Sequence, residues 1–581
     1  MRFAGIFGGL EFNRLKGIAD MPCVRLDGHV LCARDTQGDG GAVAYVQGAV
    51  HNKRALTEMI QDAGISIKEE KGIAGLILQA YRLWGTAYPA RLEGPNATVV
   101  IDRDRQRMVL SVDRMGEQSI FYAANAGTVV FSDHPAPVIK NAPFLDRTVD
   151  RQGLCELFAL GPARTPGITP VRGLKMMEPG TTLVCDQYSQ RVYTYFTLEA
   201  HEHDDDLHYT IDSVRDMVEN ALAQTLTHRP HSMLSGGLDS TVLTALCARA
   251  MKGTVNTWSV EYEDDQVHFT QNDYQRERDT PFIRQAAAYL GTNHTQVRIN
   301  QRALFDGLHD AMLARGLPGM ADVDTSLMLF SKRIAIHSGY ALSGECADEV
   351  FGGYPWFHRS ELINRDGFPW SGALDLRGSI LKPSVSTRLN LSQYAAQRYH
   401  ECAAKQPRLA SDSQEEAKLR LIHGLCLRYF MPVLQERARC MGQWSGLTVL
   451  TPYCDVRLVQ YVYNIPWSIK NLGGQEKGLL RLAMKDLLPN SLINRKKSPY
   501  PKTHHPEYAR LVVDEMNALL YNSQAPLNEI IDKTALYDLM NGDLRADAAP
   551  WFGQLMTGVQ MIAYLIQVND WLETYDLNIA I

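Results

Sequence analysis

The feature that most constrains this chain is the hexapeptide SGGLDS at 235–240, which follows the apolar run HSML and opens the helical pattern DSTVLTALCARA. Two glycines let backbone amides approach an oxyanion, and a helix N-terminus adds free N–H groups and a positive dipole end. The hexapeptide therefore predicts a strand-to-helix turn that binds phosphate. The alternative is a glycine-rich turn with Asp239 and Ser240 as ordinary caps. No GKS or GKT follows, so the pattern differs from a P-loop.

A second glycine-bearing turn lies in the segment GYALSGECADEVFGGYPWF. It predicts a strand at 340–342, followed by Ser343, Gly344, Glu345 and Asp348. Open α/β sheets bind their ligands at the carboxyl ends of such strands. The turn carries more carboxylates than a structural turn needs, although Glu349 alone also suits an exposed surface acid.

A third segment, GQEKGLLR, is basic. Lys477 and Arg481 stand four residues apart, so on a helix both cations face the same side. A basic cluster, 495–497, follows nearby. By itself this pattern indicates a solvated basic surface, and only the two glycine turns give it a functional meaning.

The chain changes character near residue 200. The first 190 residues or so alternate apolar and polar residues as β-strands do, interrupted by helical stretches at 52–64 and 72–85. The acidic stretch EAHEHDDDLH (199–208) fits no compact metal-ligand set and is interpreted as a linker. Beyond it strands and helices alternate, which indicates a parallel sheet. The predicted elements there are helices at 209–227, 239–251 and 280–290, strands at 231–234 and 256–262, and mainly helix after 390, with amphipathic runs at 414–430 and 553–568. We expect domains at 1–200 and 205–581.

Composition excludes several classes of protein. The chain has 581 residues and carries 59 Lys+Arg against 65 Asp+Glu, so its charge gives no case for a nucleic acid or a membrane surface as partner. Its longest apolar runs, such as TGVQMIAYLIQV, are too short to span a bilayer. The ten cysteines form no CxxC pair, which argues against a zinc ribbon and a disulfide framework. The reducing cytoplasm is the expected location.

Taken in order, SGGLDS, SGECADEVFGGY and EKGLLRLAMKDLLPNSLINRKKSPYP resemble motifs of the glutamine-dependent asparagine synthetase family. That family includes β-lactam synthetases and lasso peptide cyclases. The segment RLEGPNATVVIDRDRQRMVLSVDRMGEQSIFY is similar to its glutaminase domain. The resemblance implies an α/β protein, with an α+β sandwich of the Ntn-hydrolase type followed by a parallel-sheet synthetase domain like the adenine-nucleotide α-hydrolases.

The resemblance also implies ATP and Mg²⁺ as cofactors. Glu345 matches the acid that handles the proton of the attacking amine, and Lys477 matches the lysine that neutralises charge as pyrophosphate leaves. Asp239 and Asp348 match the acids that hold Mg²⁺. The strand TWSVEY matches the one that contacts adenine. The residues that match nucleotide-binding positions are Ser235, Gly236, Gly237, Asp239, Ser240, Ser343 and Gly344.

The chain departs from the family at the glutaminase site. Glutamine-hydrolysing members have a cysteine directly after the initiator methionine, but Arg2 stands here. In the run that matches the glutamine-holding segment NGEIYN, Ala49 replaces the acid. Two losses in one site predict an inactive glutaminase domain.

Three hypotheses follow. The first is a ligase whose amine is part of its own substrate, as in a lasso peptide cyclase that joins a carboxylate and an amine of a leader-processed precursor peptide, with a leader protease as partner. The second is an asparagine synthetase that uses free ammonia, and the third is a catalytically silent binding protein. The segment 314–326 falls where the family binds its amino acid. Its Asp322 and Asp324 would suit a free ammonium or a peptide N-terminus rather than a carboxylate.

Overall fold

A computed structural model describes residues 1–8, 21–26, 28–67, 72–251, 253–271, 274–542, 544 and 550–581. The β-strands, in chain order, are β1 (Phe3–Phe7), β2 (Cys23–Leu26), β3 (His29–Ala33), β4 (Gln37–Gly38), β5 (Ala42–Gly48), β6 (Asn96–Asp102), β7 (Arg107–Val112), β8 (Phe121–Asn125), β9 (Thr128–Ser132), β10 (Thr148–Asp150), β11 (Lys175–Met176), β12 (Thr181–Asp186), β13 (Gln190–Thr194), β14 (His231–Met233), β15 (Asn256–Tyr262), β16 (Asn293–Ile299), β17 (Tyr340–Leu342), β18 (Thr448–Leu450) and β19 (Asn578–Ala580).

The α-helices are α1 (Lys53–Asp62), α2 (Gly72–Trp84), α3 (Pro135–Asn141), α4 (Arg151–Cys155), α5 (Leu207–Ala223), α6 (Leu238–Met251), α7 (Asp265–His268), α8 (Thr280–Leu290), α9 (Gln301–Asp306), α10 (Leu308–Arg315), α11 (Asp322–Ala335), α12 (Ala347–Phe351), α13 (Ser360–Ile363), α14 (Leu374–Ser379), α15 (Pro383–Leu389), α16 (Leu391–Ala403), α17 (Gln414–Leu425), α18 (Met431–Trp444), α19 (Val456–Asn464), α20 (Trp467–Lys470), α21 (Gly478–Ala483), α22 (Asn490–Ile493), α23 (Pro506–Tyr521), α24 (Lys533–Asn541) and α25 (Gly558–Thr574).

The chain divides into two compact units, and neither is one contiguous stretch. The first comprises residues 1–153, 165–198 and 575–580, and the second comprises 154–164, 199–574 and 581. The sequence predicted contiguous domains, 1–200 and 205–581, and missed the two short segments. The segment 575–580 belongs to the first unit because β19 pairs in parallel with β10. The segment 154–164 belongs to the second unit, where the Tyr394 hydroxyl donates a hydrogen bond to the buried carboxylate of Glu156.

The first unit is a sandwich of two antiparallel sheets. Within the described residues their strand orders are β11-β8-β9-β1-β3-β2 and β13-β12-β7-β6-β5-β4. Because side chains alternate across a strand, Val43 and Tyr45 point into the core between the sheets, whereas Ala42 and Ala44 pack against α1 and α2 on the other face.

The second unit is built on a parallel sheet of order β16-β15-β14-β17-β18. β14 lies at its centre, and the chain leaves it through residues 234–237 to enter α6. β17 lies beside β14 and also ends in a glycine-bearing loop. Parallel strands end at one edge of the sheet, so both loops meet there. The predicted α/β class, with an N-terminal sandwich and a C-terminal parallel sheet, is confirmed.

Two disulfides contradict the expectation drawn from cysteine spacing. Cys23 pairs with Cys32, which stands directly opposite it in the β2–β3 ladder. Cys346 pairs with Cys454, at a sequence separation of 108. Both pairs arise from strand or loop contacts that a search for CxxC does not detect. In the part of the chain that the structure describes, no helix is long and apolar enough to cross a membrane.

Candidate active site

The loop 235–240 is folded around its two serines. Ser240 Oγ accepts a hydrogen bond from the backbone N–H of Ser235 at 3.1 Å and lies 2.9 Å from Ser235 Oγ. Gly236 has a φ of +71°, and a Cβ there would lie 2.7 Å from the backbone nitrogen of Ile283, so only glycine fits. The loop therefore presents a compact turn at the N-terminus of α6, the geometry that binds anions.

The two glycine turns line one cavity. Ser235, Gly237, Asp239 and Ser240 lie on its wall with Ser343, Gly344, Glu345, Asp348 and Lys477. Gly344 allows the close approach of the two loops, because a Cβ there would lie 2.9 Å from the backbone nitrogen of Ser240. Trp258, Ser259 and Val260 of β15 line the same cavity, as the resemblance implied for the adenine-contacting strand. The structure thus brings together every predicted site residue except Gly236, which shapes the loop from behind.

Lys477 lies between the carboxylates of Asp239 and Asp348. Its Nζ donates to Asp239 Oδ1 and Oδ2 at 2.9 and 2.7 Å and to Asp348 Oδ1 at 2.7 Å. The lysine is only 2% exposed. Lys497 forms a further ion pair with Asp348. Two lysines and two aspartates therefore balance one another in a buried cluster, as buried charges require.

Burial and neighbouring charge act in opposite directions on this cluster. Burial opposes ionisation of Asp348, but Lys477 and Lys497 outweigh it and lower the pKa of Asp348 to about 2. Burial outweighs the effect of Lys477 on Asp239 and raises the pKa of Asp239. Burial also disfavours the charged form of Lys497, but Asp348 and Asp239 raise its pKa to about 12. The two lysines thus favour the ionised form of Asp348.

The two carboxylates fit a Mg²⁺ ion. They converge on one cationic group, the Lys477 ammonium, and hard oxygen donors are the ligands that Mg²⁺ prefers. Among the described residues no group of three or more His, Cys, Asp or Glu side chains is arranged to hold a metal. Two carboxylates completed by phosphate oxygens and water are the usual Mg²⁺ set at a nucleotide. Asp239 and Asp348 would hold the ion, which would supply positive charge against the phosphates.

Lys477 and Arg481 do not share a helix face, and that prediction was wrong. Lys477 has a φ of +58° and precedes α21 as its N-cap, so it lies outside the helix. Arg481, inside α21, donates through Nε to the carbonyl of Glu476 at 2.8 Å and bonds the carbonyl of Ile493. Because α21 begins at Gly478, the four-residue spacing between Lys477 and Arg481 does not place them on one helix face. Both cations nevertheless line the cavity.

All three residues of the basic cluster 495–497 line the cavity, but their exposure differs: Arg495 is buried, Lys497 is half-buried and Lys496 is exposed. Arg495 is 7% exposed, pairs with Asp279 and stacks 4.1 Å above the centre of the Phe282 ring. Burying a cation next to a carboxylate and an aromatic face fixes its position. The cluster therefore adds positive charge beside the phosphate loop.

Glu345 forms an ion pair that sequence reasoning missed. Arg437, on α18, donates through Nη1 to Glu345 Oε1 at 3.1 Å. Burial raises the pKa of Glu345, and the charges of Arg437 and Lys497 oppose that rise. The signal in the sequence was a group of three charged residues, Glu436, Arg437 and Arg439, in the middle of α18. A carboxylate poised in this way is suited to accept a proton.

Asp322 and Asp324 do not line the cavity, contrary to the role expected for 314–326. Asp324 pairs with buried Arg315, whose Nε lies 3.2 Å from Asp324 Oδ2. Asp322 accepts a hydrogen bond from Gln560 at 3.3 Å. Both are nearly inaccessible, at 1% exposure. Both aspartates therefore interact with partners in the protein interior and not with a ligand in this cavity.

Glu349 is a buried acid and not a surface one. It is 1% exposed, and the Tyr354 hydroxyl donates a hydrogen bond to Glu349 Oε1 at 2.7 Å. Burial and the nearby charge of Asp348 raise its pKa from the usual 4.5 to about 8. The folded protein therefore holds the neutral acid at pH 7.

This raised pKa predicts a pH dependence of stability. Between pH 4.5 and pH 8 the folded state binds a proton on Glu349 that the unfolded state has lost, so stability falls as pH rises through this window. Glu349→Gln, which is neutral at every pH, should flatten the fall in melting temperature between pH 5 and pH 8. Parallel melting-temperature profiles for the two proteins would contradict the assignment.

The first unit lacks an available thiol. Of the ten cysteines, four are in disulfides and the other six are free and buried. Cys185 is the free thiol of the first unit, and burial raises its pKa to about 12. A nucleophilic cysteine needs an accessible thiolate. Ala49 carries no acid at this position, and its backbone N–H donates to the carbonyl of Pro95.

Comparison with known proteins covers both units. Residues 213–573 match the family described as asparagine synthase, and residues 36–196 match the glutamine amidotransferase domain. The chain is 35% identical over 549 residues to glutamine-hydrolysing asparagine synthetase 3 of Bacillus subtilis (strain 168), which covers 94% of this chain and 89% of that relative. It is 20% identical over 516 residues to glutamine-hydrolysing asparagine synthetase 1 of the same organism, with 82% and 79% covered.

Proposed function

Because the chain belongs to the asparagine synthase family of ATP-dependent carbon–nitrogen ligases, we propose that it activates a carboxylate with ATP and couples it to an amine, releasing AMP and pyrophosphate. The observation that carries this proposal is the position of Lys477, held by Asp239 and Asp348 in one cavity with the loop 235–240 and Glu345.

In the first step an oxygen of the substrate carboxylate attacks the α-phosphorus of ATP, and the bond to pyrophosphate breaks. The loop 235–240 holds the phosphates through its amides and hydroxyls. Lys477 neutralises the charge that develops on the leaving pyrophosphate, and its buried position makes that charge effective. Asp239 and Asp348 hold the lysine in place.

In the second step the amine nitrogen attacks the acyl carbon, and AMP leaves with the bonding electrons. The nitrogen must lose a proton, and the Glu345 carboxylate lies in the same cavity to accept it. Arg437 holds one Glu345 oxygen and thereby orients the other.

We expect that glutamine is not a nitrogen donor for this chain. None of its thiols is an available nucleophile, because each is buried or in a disulfide. Incubation of pure protein with glutamine should release no glutamate, measured with and without ATP. B. subtilis asparagine synthetase 3 is the parallel positive control. Steady glutamate release above the buffer rate would contradict the prediction.

The finer proposal is a lasso peptide cyclase, in which the amine and the carboxylate belong to one leader-processed precursor peptide. Apolar side chains on the cavity wall support a substrate larger and less polar than aspartate: Met320, Leu327, Phe330, Tyr354, Phe430, Leu434 and Leu555. An amine carried by the substrate also needs no glutaminase. A protease that removes the leader would be the partner.

An ammonia-dependent asparagine synthetase is the second candidate. The observation that favours it is 35% identity to an asparagine synthetase across nearly the whole chain. In that case free ammonia replaces the product of the glutaminase domain.

One experiment separates the two candidates. The protein, ATP and Mg²⁺ are incubated either with the core peptide encoded by a neighbouring precursor gene or with aspartate and ammonium chloride, and the products are weighed by mass spectrometry. The cyclase proposal predicts that the peptide loses one water while AMP accumulates, and that no asparagine forms. Asparagine formation with an unchanged peptide would establish the second candidate.

A further inference from the structure

We propose that Arg437 is the group that binds the substrate carboxylate. Once that carboxylate has been adenylated, Glu345 is the remaining carboxylate that pairs with Arg437 in the cavity. The inference deepens the proposed function and rests on it, because it names the residue that recognises the acyl substrate.

Arg437 contacts Glu345 and also lines the cavity. It extends from α18, lines the cavity, and is only 2% exposed. Its Nη1 donates to Glu345 Oε1 at 3.1 Å, and its guanidinium carbon lies 4.4 Å from the centre of the Tyr500 ring. The aromatic face and the carboxylate fix the plane of the guanidinium.

Part of this guanidinium is unsatisfied. Within the described residues, Nη2 and Nε of Arg437 are buried and neither has an acceptor at good hydrogen-bond geometry, although the Tyr500 hydroxyl interacts with the guanidinium. Besides Glu345, the guanidinium has a weaker ion pair with Asp324 on α11, whose Oδ1 lies 3.7 Å from Nε. A buried donor needs an acceptor, and at a cavity wall a bound ligand can supply it. The arginine fork binds a carboxylate through two parallel hydrogen bonds.

The two acids on the far side of Arg437 from the cavity, Asp324 and Glu436, have other arginine partners. Arg315 pairs with Asp324 and with Glu436, and Arg164 lies 2.7 Å from Glu436. Asp324 and Glu436 thus each have an arginine partner closer than Arg437, which leaves the Arg437 guanidinium available to Glu345 and to a ligand in the cavity.

The sequence of the reaction explains why one arginine serves both groups. Before adenylation the substrate carboxylate is negative, and Arg437 can pair with it. Adenylation turns that carboxylate into a mixed anhydride and expels pyrophosphate, so the acyl group no longer carries the charge. Arg437 then has Glu345 as its carboxylate partner, and an ionised Glu345 is the form that accepts the proton of the attacking amine.

Acetate is the probe that tests this assignment without turnover. Its affinity for protein loaded with a non-hydrolysable ATP analogue and Mg²⁺ is measured by ligand-observed NMR. We expect Arg437→Gln to weaken acetate binding by about ten-fold or more, the usual effect of losing a charge-assisted hydrogen bond. Arg439→Gln, on the same helix but away from the cavity wall, is the matched control and should bind as the unmodified protein does.

Undiminished acetate binding in Arg437→Gln, or none in the unmodified protein, would overturn the assignment. Should Arg437→Gln fail to fold, Arg437→Lys decides: it retains the charge but not the fork, and weakened acetate binding with an unchanged melting temperature supports the proposal, whereas full affinity contradicts it. Because acetate binding needs no chemistry, its result is independent of the proposed function, whose failure would appear as ADP formation.

Discussion

Lys477→Ala is expected to slow ATP–pyrophosphate exchange by about 10²–10³-fold or more, because one preorganised charge is lost from the position where pyrophosphate leaves. The reason is geometric: Lys477 Nζ is within 3 Å of two carboxylates, that of Asp239 in the phosphate loop and that of Asp348 on α12. The exchange assay, run with the carboxylate substrate but without the amine, isolates this first step. Lys485→Ala, at an exposed lysine just after α21, is the matched control.

A melting curve must accompany this assay, since removing Lys477 leaves Asp239 and Asp348 with less compensation. Lys477→Arg retains the charge and should fold, but it should not restore full exchange because a planar fork replaces a compact ammonium. Near-normal exchange in Lys477→Ala would show that the lysine is structural, and the mechanism would have to be abandoned.

Glu345→Gln should slow amide formation by about 10²–10⁴-fold, the usual contribution of general-base catalysis, while ATP–pyrophosphate exchange changes little. The glutamine keeps an acceptor for Arg437 but cannot take the proton of the amine. Single-turnover amide formation, measured by mass spectrometry beside exchange on the same protein, separates the two steps. Glu361→Gln, at an exposed position, is the control.

Equal loss of both activities in Glu345→Gln would contradict this role, because it would place the acid in adenylation or in the fold. Loss of amide formation alone, at an unchanged melting temperature, is the outcome that the geometry predicts.

The parts of the site that could be predicted from sequence are those set by local structure. The loop 235–240 and the turn at Ser343–Glu345 each lie directly after a short strand, and strand ends in a parallel sheet converge. Their glycines are needed locally, as Gly236 shows by its positive φ. Such features are encoded within a few residues.

The parts that could not be predicted depend on contacts between distant segments. Arg437 is 92 residues from Glu345 in sequence, and nothing in α18 shows which acid it meets. Spacing alone predicts Lys477 on a helix face, because it does not reveal that the helix begins after this residue. The predicted helix at 553–568 starts only at Gly558, since Gly553 at φ +59° and the hydrogen bonds between Thr557 and Gln560 set its beginning.

Identification of the nucleotide products tests the central claim most directly. The protein is incubated with ATP labelled at the α-phosphorus, Mg²⁺, and each substrate pair in turn, and the labelled nucleotides are separated. The absence of a P-loop lysine and the position of Lys477 beside the phosphate loop predict labelled AMP and an equal amount of pyrophosphate. Labelled ADP and inorganic phosphate, formed in proportion to the amide, would contradict the account.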